Sequence, residues 1–184
     1  MGARHSMGMQ SFQEGAILLN TLSMNGMEMD GELLKVQAGA RWFEVINFLV
    51  SKGLTVEIMQ SNADFSVGGT LSVNAHGWQP GRPPVSSSVE KISVITVSGE
   101  VQICSRKENR ELFRHILGGY GLFGVTLEAW IRPVPNQILQ STSREVMTEH
   151  FPQAWNKISD EGAELAYGRL SVAPTSFFET VWLS

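Results

Sequence analysis

Ser66-Val67-Gly68-Gly69-Thr70-Leu71-Ser72-Val73-Asn74-Ala75-His76-Gly77 is the stretch on which the reading of this chain turns. Paired glycines let successive backbone N–H groups face one concavity without Cβ obstruction, and hydroxyl and amide side chains alternate around them. Such a stretch suits a phosphate or a polar heteroaromatic ring. It equally suits a glycine-rich surface turn in which Asn74 and His76 make local caps, and a histidine with no partner visible in sequence is more often structural than catalytic. The stretch lies within residues 62–81, where hydrophobic periodicity lapses and Gly, Ser, Asn and Pro dominate, which predicts a long irregular segment. Long loops inside compact domains usually carry function.

Regular elements are legible on both sides. Short strands are expected at 16–19 and 33–36, with Asn25-Gly26 and Asp30-Gly31 as turn dipeptides between them. A helix over 41–52 places Trp42, Val45, Ile46 and Leu49 on one face and stops at Gly53. Downstream, Ser98-Gly99-Glu100 joins two apolar β-branched arms, a hairpin signal, and a helix over about 108–117 buries Leu112, Phe113, Ile116 and Leu117. A strand at 125–132 ends at Pro133 and Pro135. A third helix over 148–160 would use Thr148 as N-cap with Pro152 in its first turn, and 168–182 reads as further strand. The fold class expected from these elements is α+β: a mixed or antiparallel sheet covered by two helices, then the beginning of a second sheet-and-helix domain.

Gly119-Tyr120-Gly121-Leu122-Phe123-Gly124 spells GxGxxG, but in the wrong context for a dinucleotide fold. A Rossmann fingerprint follows a strand and opens a helix; this one follows a helix and opens a strand. Two readings stay open: a helix cap with a tight turn, or close backbone approach to a flat ligand. A third loop, 2–10, contains Gly2-Ala3-Arg4-His5-Ser6.

Composition excludes more than it assigns. At 184 residues, 42% hydrophobic, the chain can bury a sizeable core. Fourteen Lys and Arg against eighteen Asp and Glu give a net charge of -4 with no basic run, so nucleic acid is not an expected partner. No stretch has the length of a membrane span, and no leader peptide is evident, so a cytoplasmic location is expected. The opening residues fit the loose N-myristoylation pattern, read as coincidence. One cysteine, Cys104, allows neither an internal disulfide nor a cysteine zinc cluster and is expected as a small buried hydrophobe; no metal site is expected.

Taken in order, His5-Ser6, the Val67-to-Ser72 stretch, the apolar strand and turn ending in Gly99-Glu100, and the helix-to-strand junction from Leu112 to Val125 resemble the FAD-binding (PCMH-type) domain of the vanillyl-alcohol oxidase and p-cresol methylhydroxylase superfamily. Cytokinin dehydrogenases are the members most alike in wording, and alditol-oxidase-like members also compare. The resemblance implies FAD as cofactor. It implies that Gly2, Ala3, Arg4, His5 and Ser6 wrap the pyrophosphate, that Gln10 contacts the cofactor, and that Ser66, Gly68, Gly69, Thr70 and Ser72 lie along pyrophosphate and isoalloxazine. Asn74, His76, Gly77, Gly121, Gly124 and Val125 complete the implied cofactor set. His5 matches a histidine that many members join covalently to the flavin 8α-methyl. Where the family usually has a second glycine before that histidine, this chain has Arg4.

The resemblance divides the chain into 1–138, an FAD-binding domain lacking the family's N-terminal βαβ part, and 139–184, the beginning of a substrate or cap domain. The chain is thus expected to be a piece of a longer flavoenzyme, with FAD bound weakly by the piece alone. The activity implied is an FAD-dependent oxidase or dehydrogenase passing hydride from an alcohol- or amine-bearing small molecule to flavin N5, then to oxygen or another acceptor. A flavin-binding fragment without turnover, or an NADPH-dependent reductase on the same fold, stands as the alternative. The catalytic acids and bases would come from the cap, so no catalytic residue is named.

Overall fold

The computed structural model describes residues 1–9 and 11–184, and divides into two compact units, Met1–Gly77 with Pro83–Asn136 and Trp78–Arg82 with Gln137–Ser184. The fold is α+β.

In the first unit, β1 (Met27–Asp30) and β2 (Leu33–Gln37) form a hairpin, and β4 (Val89–Ile95) and β5 (Val101–Ser105) form another. β6 (Val125–Ile131) lies between them, giving an antiparallel sheet in the order β1-β2-β6-β4-β5. Period-2 alternation sends Leu34, Val36, Ile92, Val94, Ala129 and Ile131 into the core. Three helices complete that core: α1 (Trp42–Val50) with Trp42, Val45 and Leu49, α2 (Val67–Val73) with Val67 and Leu71, and α3 (Arg110–Ile116) with Phe113 and Ile116. Each fully buried aliphatic side chain stabilises by about 1.5–3 kcal/mol, against roughly 0–1 kcal/mol for an exposed ion pair, so this layer rather than the surface charges holds the unit together.

The opposite sheet face mixes polar residues such as Lys35, Lys91 and Ser93 with apolar ones such as Ile103, and it carries Trp130. Its indole donates to Asp30 Oδ2 at 2.7 Å, and Lys91 and Lys35 sit over the ring at 4.0 and 5.5 Å. A large aromatic ring is thereby covered by amphipathic lysine stems.

The second unit has an antiparallel sheet in the order β8 (Arg144–Met147), β10 (Thr180–Leu183), β9 (Gly168–Leu170), with α4 (Phe151–Asp160) packed through Phe151 close against Gly168. Trp78 belongs to this unit, its ring tilted against that of Tyr167 with centroids 4.6 Å apart, and its carbonyl accepts Ala166 N–H at 2.8 Å.

Several expectations need correction. Residues 16–19 form no strand: Ile17, Leu18 and Leu19 are exposed, and the edge position of the sheet belongs to β1. The segment 62–81 is not irregular throughout, because Val67, Thr70 and Leu71 at i, i+3 and i+4 form the buried stripe of α2, which the two glycines concealed. Pro133 and Pro135 do not merely stop β6; Pro133–Pro135 (β7) pairs with β3 (Leu54–Val56) in a two-stranded ribbon, where a proline's missing N–H is tolerated. Thr148 caps no α-helix; it opens a 3₁₀ turn (Thr148–His150), and its hydroxyl donates to Phe178 O at 2.7 Å. Residues 168–182 are not one strand, since 171–179 loop between β9 and β10. Three helices cover the first sheet where two were expected, α2 being the addition. No helix of the described residues is long and apolar enough to cross a membrane.

Candidate functional site

α2 is mounted where the loop 1–9, the end of β2 and the α3–β6 junction meet. Its first two amides are consumed locally, Val67 N–H donating to Ala40 O at 2.9 Å and Gly68 N–H to Ala38 O at 2.8 Å. Close packing explains Gly68: a Cβ there would lie 2.9 Å from Ala38 Cβ and 3.1 Å from Ala38 O. Gly69 differs, since its Cβ would meet only Ser66 Oγ, at 3.1 Å, with open space beyond. The buried Trp42 Nε1–H donates to Thr70 Oγ1 at 2.8 Å, locking α2 to α1.

The loop is tied down at several points. Thr21 donates twice to Met1 O, from its amide at 3.0 Å and its hydroxyl at 3.2 Å, and the Met1 amino group donates to Leu19 O. Ala3 N–H points at Ser66 Oγ, 3.4 Å away. His5 Nε2 lies 3.0 Å from Asp64 Oδ2, and its ring leans on Phe65 with centroids 4.6 Å apart. Asp64 Oδ1 accepts from Arg41 Nη1 at 2.7 Å. The His5 imidazole, and after it the Arg41 guanidinium, hold the Asp64 carboxyl below the usual carboxylate range against an opposing desolvation.

On the third side, the α3–β6 junction approaches α2 through its backbone: Gly118 N–H donates to Leu71 O at 2.9 Å and Tyr120 N–H to Ser72 O at 2.9 Å. Gly124, at φ 150°, passes so near β4 that a Cβ would sit 2.8 Å from Ile95 O. Gly121, at φ 78°, would place a Cβ in open space. The tight-turn reading is therefore realised at Gly118 and Gly124, while Gly121 faces open space.

Between these parts lies a cavity of about 620 Å³. Of the residues implied in cofactor binding, Gly2, Ala3, Arg4, His5, Ser6, Ser66, Gly68, Gly69, Thr70, Ser72, Gly121, Gly124 and Val125 line it. Asn74, His76 and Gly77 do not. Asn74 is the left-handed C-cap of α2, its Oδ1 accepting Ser86 N–H at 3.1 Å, and the exposed His76 ring contacts Gly77 O at 3.2 Å. Gln10 lies outside the described residues. The cavity also takes in Met7, Gly8, Ser11, Thr21, Ala38, Phe65, Val73, Tyr120 and Thr126, which the sequence did not mark as contacts. Asp64 and Arg41 were missed as well. The only sequence signal for Asp64 was its place two residues before Ser66, and nothing in spacing ties it to His5.

The volume lies within the roughly 300–1,000 Å³ usual for small-molecule sites. A glycine- and hydroxyl-rich wall with one guanidinium and one imidazole can hold a flat ligand that carries anionic groups. Among the described residues no cluster of three or more His, Cys, Asp or Glu could hold a metal ion.

A family model described as "FAD binding domain" matches residues 1–105. Cytokinin dehydrogenase 2 of Arabidopsis thaliana is 35% identical over 133 residues, covering 71% of this chain and 26% of that protein. An uncharacterized oxidoreductase of the fasciation locus of Rhodococcoides fascians is 32% identical over 133 residues, covering 71% of this chain and 30% of the relative. D-arabinono-1,4-lactone oxidase of Yarrowia lipolytica is 32% identical over 123 residues, covering 67% and 23%. The chain thus spans between 23% and 30% of the length of these relatives.

Proposed function

The chain belongs to the FAD binding domain family, of the PCMH-type flavoprotein superfamily, and from that premise we propose that its glycine-lined cavity holds FAD within an oxidoreductase. The substrate class is a small molecule with a C–H bond beside an alcohol or amine, and oxygen or another acceptor takes the electrons. Residues 139–184 begin the part that shapes the substrate site. FAD supplies hydride acceptance at N5, and the protein's own contribution is to seat, orient and shield it.

One observation carries the reading. Three glycine-bearing segments far apart in sequence, 2–8, 66–73 and 120–126, line a single cavity, and its wall includes Gly121, where a Cβ would meet open space, and Gly69, where it would meet only the Ser66 hydroxyl. A flat ring needs such Cβ-free approach, and a dinucleotide needs a cavity of this size. Arg4 supplies positive charge suited to a pyrophosphate. Ser66 Oγ and the Gly69 backbone would lie along the cofactor. Thr70 and Ser72 act mainly by holding α2, because Trp42 Nε1–H donates to the Thr70 hydroxyl and the Ser72 hydroxyl donates to Gly68 O at 2.8 Å.

The test is titration of the purified chain with FAD, read by flavin fluorescence and by an absorbance spectrum before and after acid precipitation. Saturable binding that Gly69→Val abolishes supports the reading. A chain that shows no saturable binding at millimolar FAD overturns it.

A further inference from the structure

His5 is the one imidazole on the cavity wall, and its surroundings select one of its two nitrogens. Nε2 faces Asp64 Oδ2 at 3.0 Å. A carboxylate only accepts, so Nε2 carries the hydrogen, and the neutral ring then presents an unprotonated Nδ1. Nδ1 has no hydrogen-bond partner among the described residues. Asp64 is itself anchored: Arg41 Nη1–H donates to its other oxygen at 2.7 Å, and its own N–H donates to Asn62 Oδ1 at 2.9 Å. The backbone on either side is fixed to the start of α1, Phe43 N–H donating to Ala63 O at 2.8 Å and Trp42 N–H to Phe65 O at 3.1 Å. The Phe65 ring at 4.6 Å limits rotation of the imidazole. Nucleophile, orienting carboxylate and a third group holding the carboxylate thus stand in series, the arrangement that activates weak nucleophiles elsewhere.

We propose that Asp64 is a positioning residue for covalent attachment of flavin: through Nε2–H it fixes the tautomer and direction of His5, so that Nδ1 forms the bond to the flavin 8α carbon. This rests on the reading of the cavity as an FAD site. In the step, Nδ1 forms a bond to the 8α carbon and a C–H bond of that methyl breaks. The methyl proton and the Nε2 proton are released to solvent. The electron pair of the broken C–H bond passes through the ring system to molecular oxygen, which leaves with two protons as hydrogen peroxide. Asp64 contributes while the imidazole gains positive charge, because an ionised carboxylate 3.0 Å away stabilises that charge. The low pKa direction of Asp64 keeps it ionised throughout neutral pH.

The experiment incubates the full chain aerobically with FAD and follows two quantities: reversible binding, by fluorescence, and attachment, as flavin retained after acid precipitation and localised by peptide mass spectrometry. Unaltered chain should attach flavin at His5, and His5→Ala should bind without attaching. Asp64→Asn should bind FAD comparably but attach it on the order of 100-fold more slowly, the usual scale for loss of a positioned acid–base group. Asp64→Glu should recover most of the rate, which a merely structural role would not require. Arg41→Gln, which leaves the His5–Asp64 contact in place, should slow attachment several-fold and guards against a misfolded Asp64→Asn. No binding by the unaltered chain would refute the FAD site itself. Binding without attachment, attachment elsewhere than His5, or equal rates with and without the Asp64 carboxylate would overturn this proposal alone.

Discussion

A side chain on Gly2 would place its Cβ 2.0 Å from Ser66 Oγ, so the loop that carries His5 rests directly on the N-cap of α2. This contact sets how closely the two walls of the cavity approach. Gly2→Ala should lift the loop, breaking the Ala3 N–H to Ser66 Oγ contact. FAD affinity should fall about tenfold, or ~1.4 kcal/mol, measured by fluorescence titration. Melting temperature should change little, because the loop adds few groups to the core.

The adjacent glycines of α2 should behave oppositely. Gly68→Ala pushes a Cβ against Ala38, whose backbone cannot yield cheaply, and should cost roughly 1–3 kcal/mol, a drop of several degrees in melting temperature. Gly69→Val puts its bulk into the cavity and should leave circular dichroism and melting nearly unchanged while abolishing FAD binding. Equal loss of stability in both would mean that Gly69 serves the fold and not the cavity.

The contrast also shows what the sequence could and could not disclose. Strands β2, β4, β5 and β6 and helices α1 and α3 were legible because their apolar residues repeat with the period of a half-buried element. α2 was hidden because glycines occupy positions where a helix normally shows good formers, and its stability comes from Val67 and Leu71 in the core and the Trp42–Thr70 bond. The motif residues were found, yet Asn74 and His76 could not be told from cavity residues, since only the chain's exit from α2 at a left-handed Asn74 turns them away. The His5–Asp64–Arg41 series was illegible in principle: it joins residues 59 and 23 positions apart, through tertiary structure alone.

Stability should fall at acid pH in a way that traces to Asp64. Its folded pKa lies below the ordinary 3.8, so its contribution is fully present above that value and lost as pH falls through the lower folded value. The melting temperature of the unaltered chain should therefore exceed that of Asp64→Asn at neutral pH, and the two should converge as the pH falls through the lowered folded value. A constant difference across the range would show that Asp64 acts by packing and not by charge.

Cys104 is fully buried in β5, opposite Ile92, and burial first and then the charge of Glu108 push its thiol above the usual range. Ellman's reagent at pH 8 should leave the folded chain unmodified and titrate one thiol per chain in denaturant, Cys104 being the sole cysteine. Rapid reaction under native conditions would show that β5 opens at the sheet edge.

Arg4 holds a left-handed backbone, φ 64°, at the position where resembling domains usually carry glycine, and it lines the cavity. A non-glycine residue there costs about 1 kcal/mol or more, and such strain persists at sites where the side chain has a use. Two substitutions separate backbone from charge. Arg4→Gly should relieve strain and leave melting of the ligand-free chain unchanged or a few degrees higher, whereas Arg4→Ala should keep the strain. Both remove the guanidinium, so both should weaken FAD binding several-fold and flatten its dependence on salt, because a screened charge pair has been lost. Riboflavin, which has the ring but no phosphate, should bind all three chains alike. Should riboflavin lose as much affinity as FAD, Arg4 would contact the ring end of the cavity instead. Unchanged FAD binding in both variants would reduce Arg4 to a strained residue with no ligand to justify it.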